Sequence, residues 1–247
     1  MGHRFTNRTG GVSTGAFSSL NLALHVGDEP ALVRENREIL GSQVGLHQYM
    51  EQVHGNRTVI VEAVTEEPPT ADALVTGIPG VPLAVMVADC IPLLLTSKVA
   101  VAAVHVGRKG LMNSVALNAI SAMREIGATE ISAIMGPSIC GRCYEVSEEI
   151  FLEVTKVHPA AAATTASGTH SLDLPAALVK TLLSEGVAIS FESGCTAEDP
   201  ALFSYRRDGI TGRQAGIVWL SPVAKNWLPI SPLFKSALLD LMSLSSS

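Results

Sequence analysis

The sequence predicts an α/β fold in one domain, and three observations carry that prediction. Segments rich in β-branched residues and apolar on both faces cluster between residues 83 and 104, as central strands do. Segments with helical spacing, bounded by capping residues and glycines, alternate with strand-like ones. No internal repeat and no second composition regime interrupts the 247 residues, which are 47% hydrophobic and 16% charged and so suffice for a sizeable core.

From the N-terminus, 8-RTGGVSTG-15 is rich in glycine and hydroxyl groups and reads as a loop. A helix is expected from Pro30 to Gln43, with Asp28 as its cap and Pro30 in its first turn. The segment 57-RTVIVEAV-64 alternates like a strand, and 65-TEEPPTAD-72 is the clearest surface connection. Strands are expected over Leu83–Ala88, Pro92–Thr96 and Val99–Val104. Helical spacing runs through 111-LMNSVALNAISAMREIG-127, with Gly127 as its stop. A strand at 130-EISAIMG-136 and a helix from Ser147 to Val157 follow, and 160-AAAATTASGTH-170 reads as a mobile surface loop. A helix from Pro175 to Glu185, strands over Val187–Phe191 and Gln214–Leu220, and a frayed tail at 243-SLSSS-247 complete the chain.

Charge narrows the partners. The formal net charge is −6 and no Lys/Arg run exists, which argues against a nucleic-acid polymer or an anionic membrane. A small phosphate or nucleotide needs only two or three local cations and stays open. The apolar stretch from Val81 to Val106 is broken by Pro82, Asp89, Pro92 and Lys98 into pieces too short to span a bilayer. The first residues contain no apolar signal segment, so a cytoplasmic setting is expected. The four cysteines then read as free thiols or metal ligands rather than a disulfide framework.

Three metal-binding residue types stand beside turns or strand ends: His54 in 52-QVHG-55, Cys90 in 88-ADC-90 and His105 in 104-VHVGRKG-110. One thiolate and two imidazoles give zinc three ligands and leave a fourth position open, the layout of a catalytic site. Their spacing matches no local zinc-finger pattern. On residue types alone the plainer reading, hydrogen-bonded histidines and a small core thiol, is favoured. A second chemistry for the same residues makes Cys90 a nucleophile and His105 its base. Asp89 beside Cys90 would oppose a thiolate, although strand alternation sends the two to opposite faces.

The pair 140-CGRC-143 is a C-x-x-C without a matching second pair, a weak signal. Glu145 after the Gly-Pro loop is a candidate general acid/base or ribose ligand, with helix capping an equal alternative. Cations near these loops are Arg8, Arg108, Lys109, Arg142 and those of 204-SYRRDGITGRQ-214. Arg108 and Lys109 lie between glycines just before a helix, a setting that favours an anion. The G-x-x-G of 107-GRKG-110 is too short for either a Walker A or a dinucleotide fingerprint.

These segments, taken in order with 19-SLNLALHVGD-28, 35-ENR-37, 71-ADALVTG-77 and 203-FSYRRDGITGRQAG-216, resemble the YfiH-like family, also labelled laccase-domain or polyphenol oxidase proteins. The resemblance runs over roughly residues 4–220. It implies a layered sandwich of two mixed sheets flanked by helices, similar to the catalytic domain of cytotoxic necrotizing factor. It further implies a metal, usually zinc with copper as the alternative, held by His54, Cys90 and His105. The implied activity is phosphorolysis of purine nucleosides, including methylthioadenosine, with adenosine deamination alongside; phenol oxidation and peptidoglycan precursor editing have also been attached to the family. One departure is visible: the family's H-A-G-W-R-G reads His105-Val106-Gly107-Arg108-Lys109-Gly110 here.

Of the seven histidines, His3, His25, His47 and His158 sit in unrelated contexts and none forms an H-x-H pair, so a full multicopper site is disfavoured. The sequence therefore points to a zinc-dependent purine nucleoside enzyme acting as a monomer or small homo-oligomer on small-molecule nucleoside and phosphate. In that reading Cys90, His105, Glu145 and Asp89 serve catalysis. Arg8, Arg108, Lys109 and Arg213 would hold phosphate, and Asn21 and Tyr144 the sugar or base. The competing readings are a metal-free cysteine hydrolase using Cys90 and His105 on an amide or peptidoglycan-type substrate, a copper-dependent phenol oxidoreductase, and a zinc-stabilised scaffold without catalysis.

Overall fold

Two sheets stacked face to face organise residues 1–221, the part of the chain that the computed structural model describes. The tail expected at 243–247 lies outside the described residues. The larger sheet comprises β2 (Thr58–Ile60), β3 (Ala73–Thr76), β5 (Ile91–Thr96), β6 (Val101–Val106), β7 (Ser132–Met135) and β10 (Ala188–Phe191). Its spatial order is β10-β7-β5-β6-β3-β2, with β10–β7 and β2–β3 parallel and the other pairs antiparallel. The smaller sheet is antiparallel throughout and places β11 (Gln214–Trp219) between β1 (Gly2–Phe5) and β4 (Leu83–Val87).

The central strands are apolar on both faces because each face meets a different layer. In β4, Leu83, Val85 and Val87 point between the sheets, where they meet Leu74, Leu94, Val101 and Ala103 of the larger one. Ala84 and Met86 point the other way, toward Leu40 of α1 (Pro30–Val44) and Leu20 and Leu22 of the N-terminal segment. The far face of the larger sheet is covered by α3 (Val115–Glu125), α4 (Glu148–Val157) and α5 (Leu174–Ser184), packed on Ile91, Leu93, Leu95, Val104 and Val106. The expected α/β sandwich thus appears as four layers, helix, sheet, sheet and helix. Each large side chain buried there contributes roughly 1.5–3 kcal/mol relative to exposure. Among the described residues no helix is long and apolar enough to cross a membrane.

Most expected elements are present with shifted ends. The strand at 57–64 stops after Ile60, and the strand expected to end at Val104 runs two residues further, through His105, to Val106. Helical spacing from 111 to 127 belongs to two helices. The first, α2 (Arg108–Met112), starts at the cationic pair; α3 follows after Ser114, whose φ of +61° is left-handed. The break frees the Asn113 carbonyl to accept from Asn56 Nδ2 at 3.0 Å, a local alternative to helix bonding that suits Asn and Ser.

Asp28 does not cap α1. The N-cap is Glu29, and Asp28 instead accepts the Glu29 N–H, the Ser13 hydroxyl at 2.6 Å and Asn21 Nδ2 at 2.9 Å, tying down the N-terminal loop. Ser147 does cap α4, accepting the Ile150 N–H, so Glu145 has no capping role. The segment 160–170 is ordered as a hairpin of β8 (Ala162–Thr164) and β9 (His170–Leu172), because Ala161 and Leu172 are buried in the core and His170 stacks on Phe151 at 4.4 Å. Alanine and serine gave no strand signal there. Also absent from the sequence reading are β1, β3 and the short α6 (Tyr205–Asp208).

Leu94 is fully buried between the sheets, whereas Leu152 on α4 is 58% exposed. Leu94→Ala is expected to lower the unfolding free energy by about 2–5 kcal/mol, and Leu152→Ala by well under about 1 kcal/mol, in matched urea titrations.

Candidate metal centre and substrate cavity

The site begins with a buried carboxylate. Asp72 immediately precedes β3, has no exposed surface, and sits among apolar strands where an unpaired charge would be costly. Its oxygens accept the backbone N–H groups of Val53, His54 and Gly55 at 3.3, 2.9 and 2.6 Å, which fixes the 52-QVHG-55 turn around the side chain. Oδ1 also meets His105 Nδ1 at 2.8 Å, and the Asp72 carbonyl accepts the His105 N–H at 2.8 Å. Burial would push the Asp72 carboxyl up, but donation from His105, Gly55 and His54 outweighs it and holds the group below the ordinary carboxylate range. One carboxylate therefore orients both histidines, leaving His105 Nε2 free for the site. A carboxylate behind a ligating imidazole is the usual support of a metal-binding histidine.

Cys90 arrives from the other direction. Residues 88–90 are the corner where the chain leaves β4 of the small sheet and enters β5 of the large one, and Asp89 there has a φ of +89°. His54 also lies in the left-handed region, with a φ of +58°. Such backbone conformations are uncommon outside glycine, and two of the three found among the described residues flank this site. Cys90 Sγ lies 3.9 Å from His54 Nε2, the two imidazole centroids are 4.6 Å apart, and the donor atoms of His54, Cys90 and His105 all lie within 4.8 Å of one another. A Cβ on Gly107 would come within 2.9 Å of Cys90 Sγ and 3.3 Å of His54 Cδ2, so glycine there keeps the donors unobstructed.

The donor chemistry fits a metal ion: one thiolate and two imidazoles are a three-ligand set for zinc and equally a His₂Cys set for copper. Without an ion the same residues pair. Burial would push the Cys90 thiol up, but the charge and hydrogen bonds of His105 and His54 prevail and bring its pKa down to about 6. Burial would likewise depress His105, yet the Cys90 thiolate and the Asp72 hydrogen bond raise it to about 9. In the metal-free chain the thiolate's contribution to stability is lost as pH falls through about 6, and the imidazolium's as pH rises through about 9.

These groups floor a cavity of about 400 Å³. Its walls carry three guanidinium groups, Arg108, Arg206 and Arg213, and two phenol rings, Tyr144 and Tyr205. Arg206 lies 5.2 Å over the Tyr144 ring, and Arg108 is held at 3.4 Å from Glu153. His25 also lines the cavity; burial, then the charges of Arg213 and Arg37, hold its pKa below the ordinary histidine value.

Of the sequence-derived candidates, the cavity thus gathers His54, Cys90, His105, Asp89, Arg108, Tyr144 and Arg213. It does not gather the rest. Glu145 is exposed and offers only its backbone carbonyl, which accepts from Arg206 at 2.8 Å. Asn21 is fully buried and its amide is consumed by Ala23, Asp28 and the Arg213 N–H. Arg8 donates to the Ser18 carbonyl and lies over Phe203, and Lys109 faces outward from the first turn of α2. Asp89 accepts from Thr196 and Ser204 hydroxyls at 2.6 and 2.7 Å and from the Arg206 N–H at 2.6 Å, which makes it the anchor of the segment carrying Arg206 rather than a free base. Asp72 and Arg206 were not singled out in the sequence. The signal for Asp72 was present, an acid opening the otherwise apolar 71-ADALVTG-77.

A family model described as multi-copper polyphenol oxidoreductase laccase matches residues 2–221. The chain is 45% identical over 228 residues to a purine nucleoside phosphorylase of Corynebacterium glutamicum, covering 87% of this chain and 93% of that protein. It is 45% identical over 227 residues to a purine nucleoside phosphorylase of Streptomyces coelicolor, covering 87% and 94%. Among solved structures, a Neisseria meningitidis protein assigned to the DUF152 family superposes with a TM-score of 0.83 at 40% identity, covering 89% of this chain and 94% of that one. YlmD of Geobacillus stearothermophilus superposes with a TM-score of 0.80 at 30% identity, covering 88% and 91%.

Two measurements probe the centre. In protein stripped of metal, alkylation of Cys90 by iodoacetamide, mapped by peptide mass spectrometry, is expected to rise with a midpoint near pH 6 instead of the ordinary thiol value of 9.0. A midpoint near the ordinary value would remove the ion pair. Asp72→Asn is expected to move that midpoint upward and to weaken zinc binding by about 10–100-fold in competition with a chromophoric chelator.

Proposed function

The chain belongs to the multi-copper polyphenol oxidoreductase laccase family, and on that premise we propose that it is a metal-dependent purine nucleoside phosphorylase. The observation that carries the proposal is the meeting of three arginines and two tyrosines around the His54–Cys90–His105 donor set in one cavity. Relatives at 43–45% identity named as purine nucleoside phosphorylases support the same reading. Adenosine, inosine and methylthioadenosine are the proposed substrates, adenosine deamination is the side activity, and zinc is the proposed metal in a cytoplasmic enzyme.

Phosphorolysis joins a phosphate oxygen to ribose C1′ while the C1′–N9 bond breaks. The purine takes that bond's electron pair and the proton the phosphate gives up. Arg108, Arg206 and Arg213 suit the phosphate because guanidinium groups pair with its oxygens through charge-assisted hydrogen bonds. Tyr144 and Tyr205 offer ring faces for the purine, and Ile139 and Leu174 add apolar lining to the same cavity. Asp89 positions the chemistry indirectly, by holding the Arg206 backbone and the Thr196 and Ser204 hydroxyls. An ion held by His54, Cys90 and His105 would supply Lewis acidity at the cavity floor.

Two alternatives differ in their support. Oxidase chemistry of the multicopper kind needs a further histidine cluster, and among the described residues the only other grouping of metal-binding side chains is made of cysteines and a glutamate. A metal-free cysteine hydrolase is favoured by a specific observation: Cys90, His105 and Asp72 stand in the order of a nucleophile, base and orienting acid.

The deciding experiment incubates the purified protein with phosphate and each nucleoside and measures free base and ribose 1-phosphate. Product formation lost on chelation and restored by zinc is expected; absence of product with all three nucleosides ends the proposal, product formation that survives chelation removes the metal requirement, and chelator-resistant hydrolysis of an amide substrate without ribose 1-phosphate favours the cysteine reading. Arg206→Ala and Arg213→Ala are each expected to lower kcat/KM for phosphate by roughly 10–100-fold, the worth of one charge-assisted hydrogen bond.

A further inference from the structure

A second group of metal-binding side chains lies away from the cavity. The thiols of Cys140, Cys143 and Cys195 and the carboxylate of Glu198 have their donor atoms within 4.8 Å of one another. They come from two loops, one between β7 and α4 and one after β10. The loops run side by side: Ser138 and Cys195 form a parallel bridge, with the Thr196 N–H donating to the Ser138 carbonyl at 3.2 Å.

Both pairs of donors sit on the same kind of turn. In 140-CGRC-143 the Cys143 N–H donates to the Cys140 carbonyl at 3.0 Å, and in 195-CTAE-198 the Glu198 N–H donates to the Cys195 carbonyl at 3.1 Å. Each turn throws its first and last side chains to the same side, and the two turns face each other. The Cys140 N–H also points at Cys195 Sγ at 3.3 Å, the backbone support a thiolate needs. A Cβ on Gly141 would come within 2.8 Å of Asp173 Cβ, so the first turn is closely seated on the start of α5.

We propose that Cys140, Cys143, Cys195 and Glu198 form a second, structural metal site holding one tetrahedral zinc ion that clamps these two loops together. Three sulfurs and one carboxylate oxygen complete the four ligands of a closed zinc site, and sulfur-rich donors favour zinc over magnesium or calcium. The pairing sought for the C-x-x-C is supplied by a C-x-x-E, which no zinc-ribbon pattern in the sequence reveals. Three thiols this close cannot ionise together without a cation. Burial and then hydrogen bonding with Cys140 and Cys195 push Cys143 upward, whereas at Cys140 the hydrogen bonds from Cys195 and Cys143 outweigh burial and lower it. A bound zinc deprotonates all three. Arg142, 3.5 Å from Glu198, offsets part of the remaining negative charge.

The clamp bears on the cavity through short covalent links. Tyr144 follows Cys143 and lines the cavity, and Thr196 follows Cys195 and donates to Asp89. The site is thus a brace for the wall that carries Tyr144, Asp89 and Arg206, and its existence does not depend on which reaction the cavity performs.

Zinc content by elemental analysis tests it without an activity assay. The variant lacking two of the three cavity donors, His54→Ala/Cys90→Ala, is expected to retain about one zinc per chain, and Cys143→Ser/Cys195→Ser in that background to lose it, with a lowered Tm. Should the second variant fail to fold, cobalt titrated into the zinc-stripped His54→Ala/Cys90→Ala protein keeps the question open to a direct answer. An intense thiolate-to-cobalt charge-transfer band with tetrahedral ligand-field absorption is expected. A cavity variant that holds no zinc and gives no such band overturns the proposal, as does a Cys140–Cys195 or Cys140–Cys143 disulfide in protein purified under reductant.

Discussion

The buried carboxylate of Asp72 is the interaction on which the site depends. It immediately precedes β3, which lies between β6 and the edge strand β2 of the larger sheet, and it is fully buried, so its charge is stabilised only by the groups that surround it. Three backbone N–H groups of the 53–55 turn and one imidazole supply that stabilisation. Breaking a buried, paired charge typically costs about 3–5 kcal/mol, so the turn and His105 are locked to Asp72 more firmly than surface contacts would allow. The two histidines are therefore presented together, as one preorganised unit, before any ligand arrives.

Cys90 completes the donor set because of how the sheets are joined. The chain must turn sharply between β4 and β5, and the side chains of the turn are thrown in divergent directions: Cys90 toward the histidines, Asp89 toward Thr196, Ser204 and Arg206. The left-handed backbone at Asp89 is compensated by three short hydrogen bonds to its carboxylate. One corner thus serves two ends, coordination on one side and assembly of the cationic wall on the other. Asp72 and Asp89 play parallel parts, each organising a loop that carries cavity residues without itself needing to react.

A good share of this was legible from the amino-acid order. Strand runs apolar on both faces announced a sheet covered on two sides, and Leu93, Leu94 and Leu95 indeed alternate between the helical layer and the facing sheet. His54, Cys90 and His105 were legible as candidate ligands in apolar surroundings, although residue types alone favoured a plainer role and the ordered motifs tipped the balance. Less legible were short elements built of small residues, such as the hairpin at 162–172, whose order comes from burial of Ala161 and Leu172 and not from propensity. Asn21 and Arg8 misled because a polar residue in a motif can serve the loop's own hydrogen bonding as readily as a substrate.

The sequence by itself determined the α/β class, because strand and helix periodicity are written over a few neighbouring positions; it offered His54, Cys90 and His105 as candidate ligands, which the ordered series of motifs favoured and residue type alone did not. Only the tertiary structure decided which charges share a space. Whether an acid is a base, a cap or a brace depends on contacts between segments distant in the chain. Asp72 meets His105 across a strand pair, Asp89 meets Arg206 from far along the chain, and 140-CGRC-143 finds its partner in 195-CTAE-198 across two adjacent loops. Those distances are set by the packing of the sheets, and no local pattern encodes them.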